Sequence, residues 1–184
     1  MAFLKDIRTK IGEYLLFREN GRLNRVKSII NIDSAKTIGI IYPADKQGDV
    51  DLVKKYSDML RTSGKNVTTL GFMNVKELPL GLNGSMQHQY FSLKELNWYF
   101  KPSSIFIESF IKEPFDILMD FDISWQLPVT FICSQSVAKC KAGRYSVKYE
   151  NLFDVMIDTG ENQNLEYYVK NVYSYMHLVN RKAS

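Results

Sequence analysis

Two short groups of charged residues have the composition of a small-molecule or metal site. Asp45, Lys46 and Asp49 follow a β-branched run, and Asp120 and Asp122 follow a second apolar run. Two carboxylates separated by one residue can hold magnesium or act in acid–base catalysis. A strand-to-helix turn can bind phosphate through the backbone N–H groups of the helix N-terminus. These five residues are therefore the candidate ligand-binding residues.

Neither group belongs to a motif that identifies a reaction. The turn after the first run has a single glycine, Gly48, and so lacks the glycine spacing of a P-loop or a dinucleotide-binding fingerprint. Aspartate is also common in ordinary loops and helix caps, so a structural role explains the same pattern. We predict no catalytic residue, no metal site and no cofactor. A small enzyme or nucleotide-binding protein with its site at this edge is the alternative hypothesis.

The cysteines and histidines also lack a catalytic or metal-binding spacing. Cys133 lies in an apolar run that predicts a buried helix, and Cys140, between two lysines, is expected in an exposed loop. His88 and His177 stand in no recognisable triad pattern. Two thiols in a chain of 184 residues suit a reducing compartment, and the apolar runs are far shorter than the roughly 20 residues that cross a bilayer. We therefore predict a cytoplasmic protein.

The most distinctive feature is a basic amphipathic segment at the N-terminus. Residues 1–30 hold seven basic and three acidic side chains, so they carry the whole formal net charge of +4. Apolar side chains recur at helical spacing over residues 2–18, which predicts an amphipathic helix. We predict a basic helical arm over residues 1–33 that contacts a macromolecular partner. The predicted partner-binding residues are Lys5, Arg8, Lys10, Arg18, Arg22, Arg25 and Lys27.

Three positions of this arm are compatible with its pattern. Its apolar stripe can pack on the chain's own body, it can dock on a protein or nucleoprotein, or it can lie on an anionic membrane. The leading hypothesis is a non-catalytic binding or assembly module whose partner is a macromolecule, with a nucleoprotein such as the ribosome as one candidate. A membrane surface is the less favoured partner. The apolar side chains that would insert into it are Phe3, Leu4, Ile7, Ile11 and Leu15.

The remaining residues, 34–184, predict a single α/β domain. Apolar runs over 37–42 and 66–72 flank an amphipathic stretch over 50–63, which is the pattern of a βαβ unit. The pattern continues to about five strands alternating with four or five helices. It predicts a doubly wound, mainly parallel sheet of the Rossmann or flavodoxin type. Such sheets bind ligands at the carboxyl ends of their strands, where both aspartate groups are expected.

Two resemblances accompany this pattern. The segments FSLKELNWYFKP (91–102), EPFDIL (113–118) and DVMID (154–158) resemble a family of uncharacterised proteins in Bacteroidota, especially flavobacteria. That similarity covers nearly the whole chain and implies a bacterial, cytoplasmic origin without an activity. A weaker similarity, to the N-terminal domain of heptosyltransferase-like glycosyltransferases, rests on IIYP (40–43) with GDV (48–50) and FDILMD (115–120) with AG (142–143). It implies an acceptor domain without the nucleotide-sugar domain, and therefore a half-enzyme.

Overall fold

The computed structural model describes residues 2–20, 25–80, 82 and 84–180, with the side chains of residues 2 and 3 left out. Five helices and six strands are found in this part of the chain. In chain order they are α1 (Ala2–Asn20), β1 (Thr37–Pro43), α2 (Gln47–Thr62), β2 (Asn66–Phe72), β3 (His88–Phe91), α3 (Ile105–Lys112), β4 (Ile117–Asp120), α4 (Leu127–Gln135), β5 (Cys140–Arg144), β6 (Val155–Ile157) and α5 (Leu165–Leu178). None of these helices combines the length and apolar character needed to cross a bilayer.

The strands form one sheet in which every neighbouring pair is parallel, in the order β3-β2-β1-β4-β5-β6. The predicted doubly wound α/β fold is therefore confirmed, with one strand more than expected. The sequence missed β3 because its apolar residues, Tyr90 and Phe91, follow a turn-rich stretch and two polar residues. The chain leaves β1 towards β2 on one side, whereas β4 continues towards β5 on the other, so the strand order reverses between β1 and β4.

Both faces of the sheet are covered, which explains why the central strands β1 and β4 are nearly continuous apolar runs. On one face Ile38 and Ile40 of β1 pack in a core that includes residues of α2 and α5. On the other face Ile41 of β1 and Leu118 of β4 pack in a core that includes residues of α1, α3 and α4. Strand side chains alternate between the two cores because successive residues of a strand point to opposite faces.

Helix α1 packs on the body, mainly beside α4. Leu16 is fully buried, and a Cβ atom at Gly12 would lie 2.5 Å from the carbonyl oxygen of Tyr99, so α1 approaches the body closely at this glycine. Residues 25–33 then follow the body without helical structure. Ser28 and Ile32 donate backbone hydrogen bonds to the carbonyl oxygens of Lys139 and Met176. The arm is thus joined to the domain by packing and by hydrogen bonds.

Candidate functional site

The strand ends at the reversal point form a crevice. Ile41 of β1 pairs with Asp120 of β4, so the turns that follow these two strands leave the same edge of the sheet. A cavity of about 230 Å³ lies there, and Asp45, Lys46 and Asp49 all line it. The structure therefore brings together three of the five predicted ligand-binding residues, at the place where doubly wound sheets bind ligands.

Asp45 is engaged by the protein itself. Its Oδ1 accepts a hydrogen bond from the backbone N–H of Asn74 at 2.6 Å, and its Oδ2 accepts one from Nε2 of Gln126 at 3.3 Å. The carboxylate thereby joins the turns that follow β1, β2 and β4. Asp45 therefore shapes the crevice, whereas the exposed Lys46 and the half-buried Asp49 are the groups available to a ligand.

Asp120 and Asp122 lie behind the crevice and are each 1% exposed. Asp122 accepts hydrogen bonds from the N–H and the hydroxyl of Ser124, both at 2.7 Å, and from the N–H of Gln126, and so holds the turn into α4. Burial raises the pKa of Asp122, and the hydrogen bonds, which act to lower it, offset only part of that increase. Burial and the neighbouring Asp122 raise the pKa of Asp120, whose Oδ1 accepts a hydrogen bond from the backbone N–H of Asp122 at 2.8 Å. In the described part of the chain, no three His, Cys, Asp or Glu residues form a group suited to a metal ion.

The predicted arm cations occupy different environments. Lys5, Lys10, Arg18 and Lys27 are exposed. Arg8 donates to the carbonyl oxygen of Trp98 and lies 4.5 Å from the ring centroid of Phe100. Arg22 lies outside the described residues.

Arg25 is an internal structural residue. Its guanidinium donates to both carboxylate oxygens of Asp154, at 2.7 and 2.6 Å, and to the carbonyl oxygens of Ala138 and Lys139, both at 3.0 Å. The two paired side chains are 5% and 9% exposed. Arg25 therefore connects the arm to β5 and to the turn before β6, and it is not accessible to a partner.

The solvent-facing side of α1 combines apolar and cationic residues. We call it the α1 outer face and define it as Ile7, Lys10, Tyr14, Phe17 and Arg18, which share one side of the helix by their spacing. Tyr14 is 66% and Phe17 is 41% exposed, although the ring of Phe17 also stacks on Tyr149. Much of the predicted apolar stripe thus faces solvent, because α1 packs on the body through Gly12 and Leu16 instead.

Two of the three acidic side chains of α1, Glu13 and Glu19, contact the body, whereas Asp6 is exposed. Glu13 accepts a hydrogen bond from Lys148 at 2.7 Å, and Glu19 accepts one from Lys101 at 2.7 Å and one from Gln135 at 2.6 Å. Two of the three acids of the arm are therefore neutralised by cations or amides of the domain. Helix α1 holds four basic and three acidic residues, a net charge of +1, whereas its exposed charged residues carry +2. These exposed residues are Lys5, Asp6, Lys10 and Arg18.

The family relationship rests on a match over residues 9–179. The chain belongs to DUF6913, a family of unknown function. No curated protein matches it in a sequence comparison. The DUF6913 match begins inside α1 and extends past the end of α5, so the arm and the α/β body belong to one family unit.

One buried cation of this DUF6913 domain escaped the sequence analysis. Lys141, in β5, is 1% exposed, and burial together with the nearby Arg25 lowers its pKa to about 7. The sequence analysis missed it because it expected an exposed loop around Cys140, whereas Lys141 lies inside β5. For the same reason the expectation that Cys140 is exposed is wrong, since it is buried in β5, whereas the predicted burial of Cys133 is confirmed.

Proposed function

We propose that the protein is a non-catalytic binding module that docks on a phosphate-bearing nucleoprotein surface through the α1 outer face. The observation that carries the proposal is the separation of charge on α1. Glu13 and Glu19 are paired with lysines of the body, while Lys10 and Arg18 remain exposed on the same side of the helix as the aromatic rings of Tyr14 and Phe17. Asp6 is also exposed, but the exposed cations of α1 outnumber it. Cations that neutralise phosphates, next to aromatic rings that stack on bases, are the combination that binds single-stranded nucleic acid.

The proposed setting is the bacterial cytoplasm. The two cysteines are free thiols, as a reducing compartment requires, and the resemblance to flavobacterial proteins supports a bacterial origin. A ribosome or another ribonucleoprotein is the partner that this setting would present to a basic, aromatic helix face.

Charge reversal on the outer face tests the proposal more cleanly than removal of the arm. Deleting residues 1–30 would also remove Leu16 and Arg25, which are buried in the fold. We therefore choose the double variant Lys10→Glu/Arg18→Glu. Its matched control is Lys36→Glu/Lys94→Glu, which makes the same change in net charge at two other exposed positions.

The assay measures binding of the full chain to purified ribosomes and to a short single-stranded RNA over a range of salt concentrations. We expect the logarithm of the binding constant to fall linearly with the logarithm of salt, and the outer-face variant to bind at least about tenfold more weakly with a smaller slope. An equal loss in the control variant, or binding that does not respond to salt, would contradict the proposal. Binding to anionic vesicles that requires Ile7 but not Lys10 would favour the membrane surface instead.

A small-molecule site at the sheet edge is the second candidate function. The observation that favours it is the cavity of about 230 Å³ between β1 and β4, with Lys46 and Asp49 available at its wall. The resemblance to glycosyltransferase acceptor domains makes a sugar the ligand class to test first. In an NMR titration with monosaccharides, shifts confined to this crevice and lost in Lys46→Ala and Asp49→Asn would support a ligand site. Absence of such shifts would remove this candidate.

A further inference from the structure

A second cavity, lined by basic side chains, lies where the arm meets the body. Its volume is about 520 Å³, and its lining includes Phe17 and Asn20 at the end of α1. Arg25 and Lys27 line it from the segment after the arm helix, and Lys141 lines it from β5. The cavity thus collects three basic side chains around one space.

The charges around this cavity are only partly balanced. The guanidinium of Arg25 is paired with both oxygens of Asp154, so that pair contributes no net charge. Lys27 is exposed, and Lys141 is buried. In the part of the chain described, the ammonium group of Lys141 donates one hydrogen bond, to the carbonyl oxygen of Ser134 at 3.2 Å. A lysine has three N–H donors, so two remain for a ligand.

A buried ammonium group without a counter-charge is costly, and an anion in the cavity would remove that cost. Lys27 and the protonated form of Lys141 supply two positive charges, and a bound anion favours that protonated form. A phosphate monoester carries between about −1.5 and −2 at neutral pH, and its three terminal oxygens are strong acceptors. The charge and the donors of the cavity therefore match a tetrahedral dianion better than a single carboxylate.

We propose that this cavity is a binding site for phosphate, free or as a monoester, held between Lys141 and Lys27. The cavity shares Phe17 with the α1 outer face, but its cations, Lys27 and Lys141, are not part of that face, so the site does not depend on the docking function. Arg25 does not bind the phosphate; its pairing with Asp154 fixes the position of the segment that carries Lys27.

Isothermal titration of the full chain with inorganic phosphate, at constant ionic strength in chloride, tests the site. The variants are Lys141→Met, which keeps the length of the side chain, and Lys27→Met at an exposed position that cannot disrupt the core. Lys94→Met, at another exposed position, is the control. We expect each cavity variant to weaken phosphate binding at least about tenfold, because each removes a charge-assisted hydrogen bond, and the control to bind as the wild type does. Equal affinities in all four proteins, or no heat of binding in the wild type, would overturn the proposal.

A titration with sulfate gives a second readout, because its charge does not change near neutral pH. The titratable and charged groups that act on Lys141 are Cys133 on α4, Asp154 before β6, and Arg25 and Lys27. Sulfate should bind the protonated lysine, so its affinity in the wild type should fall as the pH rises above 7 and should change little in Lys141→Met. The same pH dependence in both proteins would refute the role of Lys141.

Glycerol phosphate and a 5′-phosphorylated RNA distinguish free phosphate from a monoester. If glycerol phosphate binds as well as phosphate and both depend on Lys27, the site accepts monoesters. If only the RNA binds, and Lys10→Glu/Arg18→Glu abolishes that binding, the cavity proposal fails and the outer face alone explains the result.

Discussion

Replacing Lys141 by methionine is expected to stabilise the protein near neutral pH, although the change removes a charged side chain. Lys141 is 1% exposed, and its pKa falls from 10.5 to about 7 in the folded state. The main cause is burial, and the positive charge of Arg25 adds to it. The folded state therefore disfavours the charged form that the unfolded chain carries at neutral pH.

The size of the effect follows from the linkage between protonation and folding. Each unit of pKa difference corresponds to about 1.4 kcal/mol, so the lysine lowers the free energy of unfolding by about 4 kcal/mol at pH 7 and by about 2 kcal/mol at pH 9. Because the folded pKa is the lower one, the unfolded state binds more protons between pH 7 and pH 10, and stability rises with pH in that window. Below pH 7 both states are protonated and the full cost remains.

Methionine has a similar length and does not titrate, so it should remove both the energetic cost of burying the ammonium group and the pH dependence of stability that Lys141 causes. Apolar replacement of buried charges is often stabilising for this reason. We expect Lys141→Met to unfold with a free energy about 2–4 kcal/mol higher than the wild type at pH 7, and the difference to shrink by about 2 kcal/mol at pH 9.

Urea unfolding followed by circular dichroism, at several pH values in buffer without phosphate or sulfate, provides the measurement. The free energy of unfolding of the exposed-site variant Lys94→Met should show the same pH dependence as that of the wild type. If Lys141→Met were less stable than the wild type by more than about 1 kcal/mol, with the same pH dependence, the argument would be refuted. The ammonium group would then be well compensated inside the fold.

Three further predictions concern the stability of the fold. Partial burial would raise the pKa of Asp116, but hydrogen bonds from a lysine and two backbone N–H groups lower it to about 2. Asp116→Asn should therefore lower the free energy of unfolding by about 2 kcal/mol at neutral pH. In urea titrations this loss of stability should vanish as the pH falls from about 4 to 2. Arg25→Met leaves a buried carboxylate unpaired and should cost about 3–5 kcal/mol in thermal or urea unfolding, and a loss below about 1 kcal/mol would contradict this. A Cβ atom at Gly143 would lie 2.3 Å from the ring of Phe153, so Gly143→Ala should cost about 1–3 kcal/mol by the same assays, and wild-type stability in that variant would contradict the close contact.

Local patterns in the sequence predicted much of the architecture. The strand at 66–72 was predicted with the bounds that the structure has, because Val67, Leu70 and Phe72 lie in a short segment that follows Gly64, where the preceding helical pattern stops. Ser92 and Glu95 have the spacing of a capping box in the sequence, and the structure forms this box at a 3₁₀ turn over Leu93–Glu95. The short edge strand β3 and the first residues of β5 were missed, because polar residues there are buried by neighbours that local periodicity does not reveal.

The candidate sites were also predicted only in part from the sequence. The sequence placed Asp45, Lys46 and Asp49 at a strand end. Because β1 and β4 are parallel neighbours, the turns that follow them leave the same edge of the sheet and form a crevice there. The sequence also located the excess positive charge in the first 30 residues. Neither pattern indicated which of those cations would remain exposed.

By itself, the sequence determined the fold class and the position of the net charge along the chain, because strand and helix periodicity and composition are properties of consecutive residues. Only the tertiary structure decided which charges are neutralised and which are available. Arg25 is paired with a carboxylate 129 positions away, and Glu13 with a lysine 135 positions away. The burial of Lys141 likewise depends on the packing of β5 against α4 and on the segment around Arg25. Burial and ion pairing are set by neighbours in space, so a helix whose sequence mixes four basic and three acidic residues has one face bound to its own domain and one exposed face with an excess of cations.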